Sequence, residues 1–174
     1  RDLIYPCTCS RRDIQMAASA PQEGGAPLIG PDGVVYPGTC RANQTSFSPD
    51  PLPIEALRLN MRTALGEITN TALSPLLRFQ EGSKTVQISA SDCIENIGDV
   101  VLARRDMGTS YHLSVVLDDA QQNVTDVVRG SDLFEATKIH VVLQRLLGLP
   151  TPTYHHHKLI RDEHLLGRVT HATA

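Results

Sequence analysis

The segment from Asp132 to Leu147 restricts the fold more than any other, because it has the pattern of one amphipathic helix. Its apolar residues recur every three or four positions, which is the spacing of a single buried helix face. Asp132 and Glu135 fit a capping box at the start, and Gly148 with Pro150 is a stop signal at the end. The predicted apolar face consists of Ile139, Val142, Leu143, Leu146 and Leu147.

Runs with strand composition flank this helix. Residues 124–128 precede it and residues 154–160 follow it. Two strands joined through a helix form the unit from which parallel α/β sheets are built. The sequence therefore predicts an α/β fold with a parallel sheet.

Further strands are predicted upstream. Residues 56–62 alternate apolar and polar side chains, while residues 100–105 and 111–117 are rich in β-branched residues. Residues 63–91 have weak periodicity and predict loops and short strands. On a strand, the adjacent Asp118 and Asp119 would point to opposite faces and could not act as one carboxylate pair.

Composition excludes some classes of protein. The formal net charge of −3 gives no global attraction to nucleic acid, so any RNA contact needs a local basic patch. No apolar run approaches the roughly 20 residues of a membrane span, and no secretory signal begins at Arg1. We therefore expect a cytoplasmic protein that does not enter a membrane. A first residue other than Met leads us to expect that upstream sequence is missing.

Three of the four cysteines are candidates for a metal site. Cys7 and Cys9 can face one ion where the chain turns, and Cys40 can return to them after a loop dense in Pro and Gly, residues 19–38. Zinc prefers thiolates and takes four ligands, but no histidine lies nearby as the fourth. Unrelated reduced thiols therefore remain an equal alternative. Cys93 has no partner in sequence and is expected in the core.

Two motifs carry a family resemblance. The run Tyr111-His112-Leu113 and the run Val127-Val128-Arg129-Gly130-Ser131-Asp132 resemble the amino-acid-binding half of the glutamyl-tRNA synthetase group. Together with Asp132-Leu133-Phe134, they resemble most its short branch without an anticodon-binding domain, the glutamyl-Q tRNA(Asp) synthetases. The resemblance extends from Tyr5 to about Asp162.

The resemblance implies the second half of a class I synthetase Rossmann-like parallel-sheet core with a zinc-binding insertion. Residues 1–54 would form the zinc-binding region with its long Pro/Gly-rich loop, and residues 55–174 a partial catalytic core. The motif Tyr36-Pro37-Gly38-Thr39-Cys40 matches one in which the tyrosine oxygen completes zinc coordination. The implied ligands of a structural zinc are Cys7, Cys9, Tyr36 and Cys40.

The resemblance also implies a substrate site. Arg129 would bind the side-chain carboxylate of glutamate, Tyr111 would contribute its hydroxyl to the amino acid, and His156 would lie beside the nucleotide. From the residues alone, Arg129 could instead pair with a structural aspartate, and Tyr111 could be a core residue. His155 and His157 would share a strand face and offer a weaker metal alternative.

The implied reaction uses ATP, with Mg²⁺, to activate glutamate, which is then attached to the queuosine of tRNA(Asp). The HIGH-type and KMSKS-type motifs that face the phosphates are not recognisable in this sequence. The run His164-Leu165-Leu166-Gly167 resembles the HIGH-type motif only by chance. Because such donors stabilise the phosphate charge, we expect these 174 residues to be inactive alone. The alternatives are part of an ordinary glutamyl-tRNA synthetase, or a non-catalytic zinc-stabilised module that binds an amino acid or RNA.

Overall fold

A computed structural model describes residues 3–19, 26–43, 55–71, 77–104 and 108–159. The strands are β1 (Ile4–Cys7), β2 (Ile29–Gly30), β3 (Gly33–Val34), β4 (Ala56–Leu59), β5 (Leu77–Glu81), β6 (Lys84–Ile88), β7 (Val101–Ala103), β8 (Asp126–Gly130) and β9 (Thr153–His157). The helices are α1 (Arg11–Ala18), α2 (Met61–Thr71), α3 (Ala90–Asp92), α4 (Tyr111–Gln121) and α5 (Phe134–Leu147). Shorter turns of helix are the 3₁₀ segments Arg41–Asn43 and Ser131–Leu133 and the π segment Cys93–Ile97.

The strands form two sheets and one small hairpin. In the larger sheet the order is β6-β5-β9-β8, and β9 runs parallel to both β5 and β8. The smaller sheet has the order β1-β4-β7 and is antiparallel. Strands β2 and β3 form the hairpin. The prediction of an α/β fold with a parallel sheet is therefore confirmed.

The core lies around α5, which packs against α2, α4 and β5. Val141 and Val142 on α5 are fully buried, and the apolar side chains of α2 and β5 join the same cluster. Leu147, which the sequence placed on the buried face, is 47% exposed. Cys93 is fully buried in this core, as predicted.

The predicted strand–helix–strand unit is confirmed, because β8, α5 and β9 follow one another with β8 and β9 paired in parallel. The predicted start of the helix is wrong. Residues 131–133 form a 3₁₀ turn, and Leu133 occupies the cap position without a side-chain hydrogen bond. Glu135 instead pairs with Lys138 at 2.6 Å. The predicted stop is confirmed, since Gly148 has φ +66° in the left-handed region.

The strand predicted over residues 111–117 is wrong, because this segment begins helix α4. Ser110 caps the helix by accepting a hydrogen bond from Leu113 N at 3.4 Å. His112 and Val116 are buried four residues apart on one helix face. Packing against α5 therefore overrides the strand preference of the β-branched residues. Asp118 and Asp119 lie in the last turn of this helix.

The segment around residue 60 also departs from the sequence prediction. Strand β4 ends at Leu59 rather than at the predicted residue 62. Helix α2 covers the last two residues of the predicted strand and the start of the segment where weak periodicity predicted loops and short strands. Asn60 marks this change, because its side-chain oxygen accepts a hydrogen bond from Thr63 N at 3.2 Å. The antiparallel pair β5–β6 confirms the short strands expected within residues 63–91. Strands β7 and β8 confirm those predicted near residues 100 and 126.

The smaller sheet joins the two regions that the sequence divided at residue 54, because β1 pairs with β4 from Ile4–Leu59 to Cys7–Ala56. The division into residues 1–54 and 55–174 stays a prediction. Residues 164–167, which sequence analysis singled out, lie outside the described residues. No helix in the described ranges is long and apolar enough to cross a membrane.

Candidate functional site

Arg129 is the centre of a polar cluster at the carboxyl end of β8. Its Nε donates to His156 Nε2 at 3.1 Å, its Nη1 to His140 Nδ1 at 3.2 Å, and its Nη2 to Thr137 Oγ1 at 2.6 Å. The ring of Tyr154 lies 5.0 Å from the guanidinium carbon. These contacts hold the guanidinium in one orientation from two elements, α5 and β9.

The partners of Arg129 carry no charge of their own. Arginine can only donate hydrogen bonds, so the ring nitrogens of His140 and His156 that it contacts must be acceptors. No carboxylate in the described ranges lies within ion-pair distance of this guanidinium. Arg129 is therefore a partly buried cation held by neutral acceptors.

His140 continues the cluster towards α4. Its Nδ1 accepts from Arg129, so its proton lies on Nε2, which is 3.1 Å from Nδ1 of His112. His112 Nε2 then lies 3.6 Å from Asp32 Oδ1, in the turn between β2 and β3. Burial, with the nearby charge of Arg129, lowers the pKa of His140 to about 3. His140 therefore stays neutral near pH 7.

His156 is held from its other side by Glu81. The carboxylate of Glu81 accepts from His156 N at 2.8 Å and from His156 Nδ1 at 2.7 Å. These hydrogen bonds overcome the effect of burial and lower the pKa of Glu81. The His156 side chain is only 3% exposed and both ring nitrogens bind within the protein. A nucleotide contact at His156 stays a prediction.

Tyr111 borders the same cluster. It is the first residue of α4 and is 55% exposed. Its ring lies edge-on to the rings of His112 and His140, with centroids 5.5 and 6.0 Å away. The structure therefore brings both Tyr111 and Arg129 into contact with His140. The core alternative for Tyr111 does not fit this exposure.

Gly130 keeps the backbone beside Arg129 compact. A Cβ at Gly130 would collide with Asp132 Oδ1 and would lie 3.0 Å from Leu159 Cδ2. A larger residue at position 130 would therefore require the Asp132 and Leu159 side chains to move.

Sequence reasoning missed Thr137, His140 and Glu81. Thr137 and His140 lie three residues apart within the helix that it predicted, and both are almost fully buried. Polar residues on an apolar helix face require hydrogen-bond partners, and that rule could have marked them. Glu81 lies at the end of β5, and only the fold brings it to His156.

The three predicted cysteine ligands and Tyr36 also come together. The sulfur atoms of Cys7, Cys9 and Cys40 lie within 4.8 Å of one another. Tyr36 Oη is 3.4 Å from Cys7 Sγ and 3.6 Å from Cys9 Sγ, and the Cys9 and Cys40 sulfurs are 3.4 Å apart. A tetrahedral zinc with bonds of about 2.3 Å separates its ligands by about 3.8 Å. The donor set therefore fits one zinc ion.

The turn after Tyr36 produces this geometry. Gly38 has φ +86°, and the turn lets Cys40 N donate to Tyr36 Oη at 2.8 Å. Burial raises the pKa of Cys9 to about 11. Burial acts in the same direction on Cys40, but hydrogen bonds from Tyr36 and Thr8 outweigh it and lower the pKa of Cys40 to about 6. This shift favours the thiolate of Cys40, the form that binds metals. Within the described ranges, no other group of three such side chains comes this close together.

Asp99 connects the cysteine cluster to the core. Its carboxylate is 3% exposed and accepts from Tyr5 Oη at 2.5 Å, from Arg41 Nε at 2.7 Å and from Met61 N at 2.9 Å. Its backbone oxygen accepts from Arg58 Nη1 at 2.7 Å. The Arg58 guanidinium also lies over the ring of Tyr36, 3.9 Å from its centroid. One buried carboxylate thus fixes the surroundings of two cluster members.

Comparison with known proteins gives matches over almost the whole chain. The family model for the catalytic domain of class I tRNA synthetases (E and Q) matches residues 83–165. A glutamyl-Q tRNA(Asp) synthetase of Rhodobacter capsulatus is 61% identical over 163 residues, which is 94% of this chain and 56% of the relative. Proteins of the same name from Albidiferax ferrireducens and Neisseria meningitidis are 35% and 38% identical, and the match covers 53% and 46% of them.

Solved structures share the fold. A glutamate–tRNA ligase from Elizabethkingia meningosepticum, determined in complex with its amino acid, superposes with a TM-score of 0.62 at 17% identity. The superposition covers 92% of this chain and 30% of that protein. The expected class I architecture is thereby confirmed. Over most of its length the chain is similar to glutamyl-Q tRNA(Asp) synthetases, and it spans about half the length of the curated relatives that it matches.

Proposed function

We propose that this chain supplies the glutamate-binding part of an enzyme that activates glutamate with ATP and transfers it to the queuosine of tRNA(Asp). The observation that supports this most is Arg129, a partly buried cation whose described hydrogen-bond partners are all neutral. The carboxylate of Asp119 is close enough to feel its charge but makes no ion pair with it. A buried charge is costly unless it is paired. The ligand that pairs with it best is a carboxylate.

The orientation of Arg129 suits that ligand. Arginine has five N–H donors, and its described partners take one from each nitrogen. One further N–H remains on each terminal nitrogen, and we infer that the two act together as a fork. Such a fork matches a carboxylate in a bidentate, charge-assisted pair. Tyr111, exposed beside this cluster, would present its hydroxyl to the bound amino acid.

The rest of the reaction is assigned from the family. ATP with Mg²⁺ would bind so that His156 lies on the nucleotide side of the site. The tRNA(Asp) substrate and the queuosine acceptor are favoured over an ordinary glutamyl-tRNA synthetase reaction by the 61% identity to a glutamyl-Q tRNA(Asp) synthetase. A tRNA substrate would place the protein in the cytoplasm.

The cysteine cluster would hold a structural zinc through Cys7, Cys9, Tyr36 and Cys40. A bound zinc would cross-link this region and stabilise its folded form. With four protein ligands, the site would have no open position for a substrate. Two residues outside the ligand set, Arg41 and Arg58, both contact Asp99 and would hold the cluster in place.

Glutamate binding to the chain tests the proposal directly. Titration calorimetry should show binding by the wild type and a loss of about tenfold or more for Arg129→Ala, because a hydrogen bond to a charged group contributes about 1.5–3 kcal/mol. Arg145→Ala is the matched control, since Arg145 is an exposed arginine on α5. Equal glutamate affinity in Arg129→Ala and Arg145→Ala would give Arg129 a structural role only.

The transfer step needs a protein of the relatives' full length. In the Rhodobacter capsulatus relative, replacement by alanine of the residue that aligns with Arg129 should abolish the labelling of queuosine-containing tRNA(Asp) by radioactive glutamate. Labelling of tRNA(Asp) that lacks queuosine, at the same rate as the modified tRNA, would refute the queuosine assignment and favour the ordinary synthetase reaction.

A further inference from the structure

The three described acceptors of Arg129 share one property, which is that each can hold the guanidinium without neutralising it. Thr137 offers a hydroxyl, and His140 and His156 each offer an unprotonated ring nitrogen. A glutamate or aspartate would be the stronger acceptor at any of these positions. The site instead leaves the positive charge of Arg129 uncompensated by a direct contact.

We propose that His140 is a specificity-determining positioning residue, whose neutral Nδ1 orients Arg129 while leaving its charge for a side-chain carboxylate on the ligand. This inference rests on the proposed binding of glutamate and identifies which of two similar ligands the site selects. The ligand class selected is a γ-carboxylate amino acid, and the class rejected is its isosteric amide, glutamine.

The geometry around His140 sets its role. The ring is 2% exposed, so its hydrogen bonds come from protein groups. Arg129 Nη1 donates a hydrogen bond to Nδ1, and the proton on Nε2 points to His112 Nδ1, 3.1 Å from Nε2. This order fixes one neutral tautomer. The imidazole can then neither accept a second proton without losing Arg129 nor turn over without losing both contacts.

The charge of Arg129 matters because glutamate and glutamine have nearly the same shape. The guanidinium offers only donors, and a carboxylate accepts two of them, while an amide accepts with its oxygen alone and presents its own N–H groups. In a partly buried site the charge attraction to the carboxylate is strengthened. An internal carboxylate at position 140 would pair with Arg129 and remove most of this difference in affinity between glutamate and glutamine.

Two variants of His140 that differ only in charge test the proposal. His140→Gln keeps a neutral acceptor, and His140→Glu places a carboxylate of the same size against Arg129. The measurement is the ratio of the dissociation constants for glutamine and glutamate, obtained by calorimetry on the full chain. We expect the ratio of His140→Gln to stay within about threefold of the wild type and that of His140→Glu to fall at least tenfold.

Equal ratios in the two variants, with glutamate still bound by the wild type, would overturn the role of His140 and leave the proposed function standing. A wild-type chain that binds neither amino acid would instead overturn the proposed function and, with it, the selectivity. These failures are therefore distinguishable. Circular dichroism of both variants controls for folding.

A measurement on the wild type keeps the proposal testable if a variant does not fold. Nitrogen-15 imidazole spectra should show His140 as the neutral tautomer with its proton on Nε2 between pH 6 and 8. The Nδ1-protonated tautomer, or an imidazolium, would contradict the proposed acceptor and overturn the inference.

Discussion

Arg41, the residue after the cluster cysteine Cys40, donates from Nε to the buried Oδ2 of Asp99 over 2.7 Å. The other carboxylate oxygen of Asp99 accepts from Met61 N at the first residue of α2. The chain around the cysteines and the first helix of the core are thus fixed by the same side chain. Asp99 therefore couples the stability of the two regions.

Replacing Asp99 tests this coupling. Asp99→Asn leaves Arg41, whose side chain is 37% exposed, without its counter-charge, and a hydrogen bond to a charged group contributes about 1.5–3 kcal/mol. We expect urea unfolding to show a loss of this size, together with weaker zinc retention. Asp126→Asn is the control, because Asp126 pairs with His155 on the exposed surface. A loss in Asp99→Asn no larger than in Asp126→Asn would show that Asp99 does not carry the coupling.

Zinc content tests the cysteine cluster. The reduced protein should contain about one zinc per chain by elemental analysis, and Cys40→Ser should release it and lower the melting temperature, because structural zinc contributes folding energy. Cys93→Ala removes the buried cysteine outside the cluster and should retain the metal. Metal-free wild-type protein, or full zinc in Cys40→Ser, would refute the site.

The pH dependence of stability tests the environment of His140. Its pKa is about 3 in the folded chain, because of burial and the charge of Arg129, against about 6.5 when unfolded. Between these values the unfolded chain binds more protons, so the unfolding free energy falls as the pH drops below 6.5. From pH 7 to 5.5, His140 should account for a loss of about 1 kcal/mol.

His140→Gln provides the comparison, since glutamine does not titrate and all other histidines remain. Urea unfolding at pH 7 and pH 5.5 should show a smaller decrease for this variant than for the wild type. The window lies above the range in which Glu81 and Asp92 titrate, because both have lowered pKa values. The same decrease in both proteins would mean that His140 is not buried in its neutral form.

Association through the sheet edge is the fourth expectation. Among the described strands β8 pairs only with β9, and Val128 on β8 is 72% exposed. An unprotected edge strand pairs readily with another chain. Sedimentation should show concentration-dependent association that Val128→Lys reduces. Leu117→Lys, which alters an exposed apolar residue on α4, should reduce it less. Equal effects would assign the association to general surface hydrophobicity.

The elements that the sequence predicted well have strong local signals. The helix before Gly148 and the two strands around it combine periodicity, a stop signal and β-branched runs. Helix α4 was missed because Val115 and Val116 favour strands locally, whereas its burial pattern follows from packing against α5. The 3₁₀ turn at residues 131–133 displaced the predicted capping box, since it moved the helix start two residues towards the C-terminus.

Sequence analysis could name the residues of the candidate site that belong to a recognisable motif. Tyr111 and Arg129 could be named through the family resemblance, as could Tyr36 and the cysteines. Glu81 could not, because it is 75 positions from His156 and only the parallel pairing of β5 with β9 joins them. His140 lies within a recognisable helix, but its acceptor role depends on the direction from which the guanidinium approaches.

Some paired strands of this fold lie far apart in the chain, and others lie close together. Ile4 pairs with Leu59 and Leu57 with Ala103, so the antiparallel sheet needs about a hundred residues before it can close. Strands β8 and β9 pair across a single helix. Distant pairings form slowly, because loop closure must precede the contact. We therefore expect the cysteine region to be synthesised before its later strand partners and to finish folding late, with its thiols exposed to competing metals and oxidants on the ribosome.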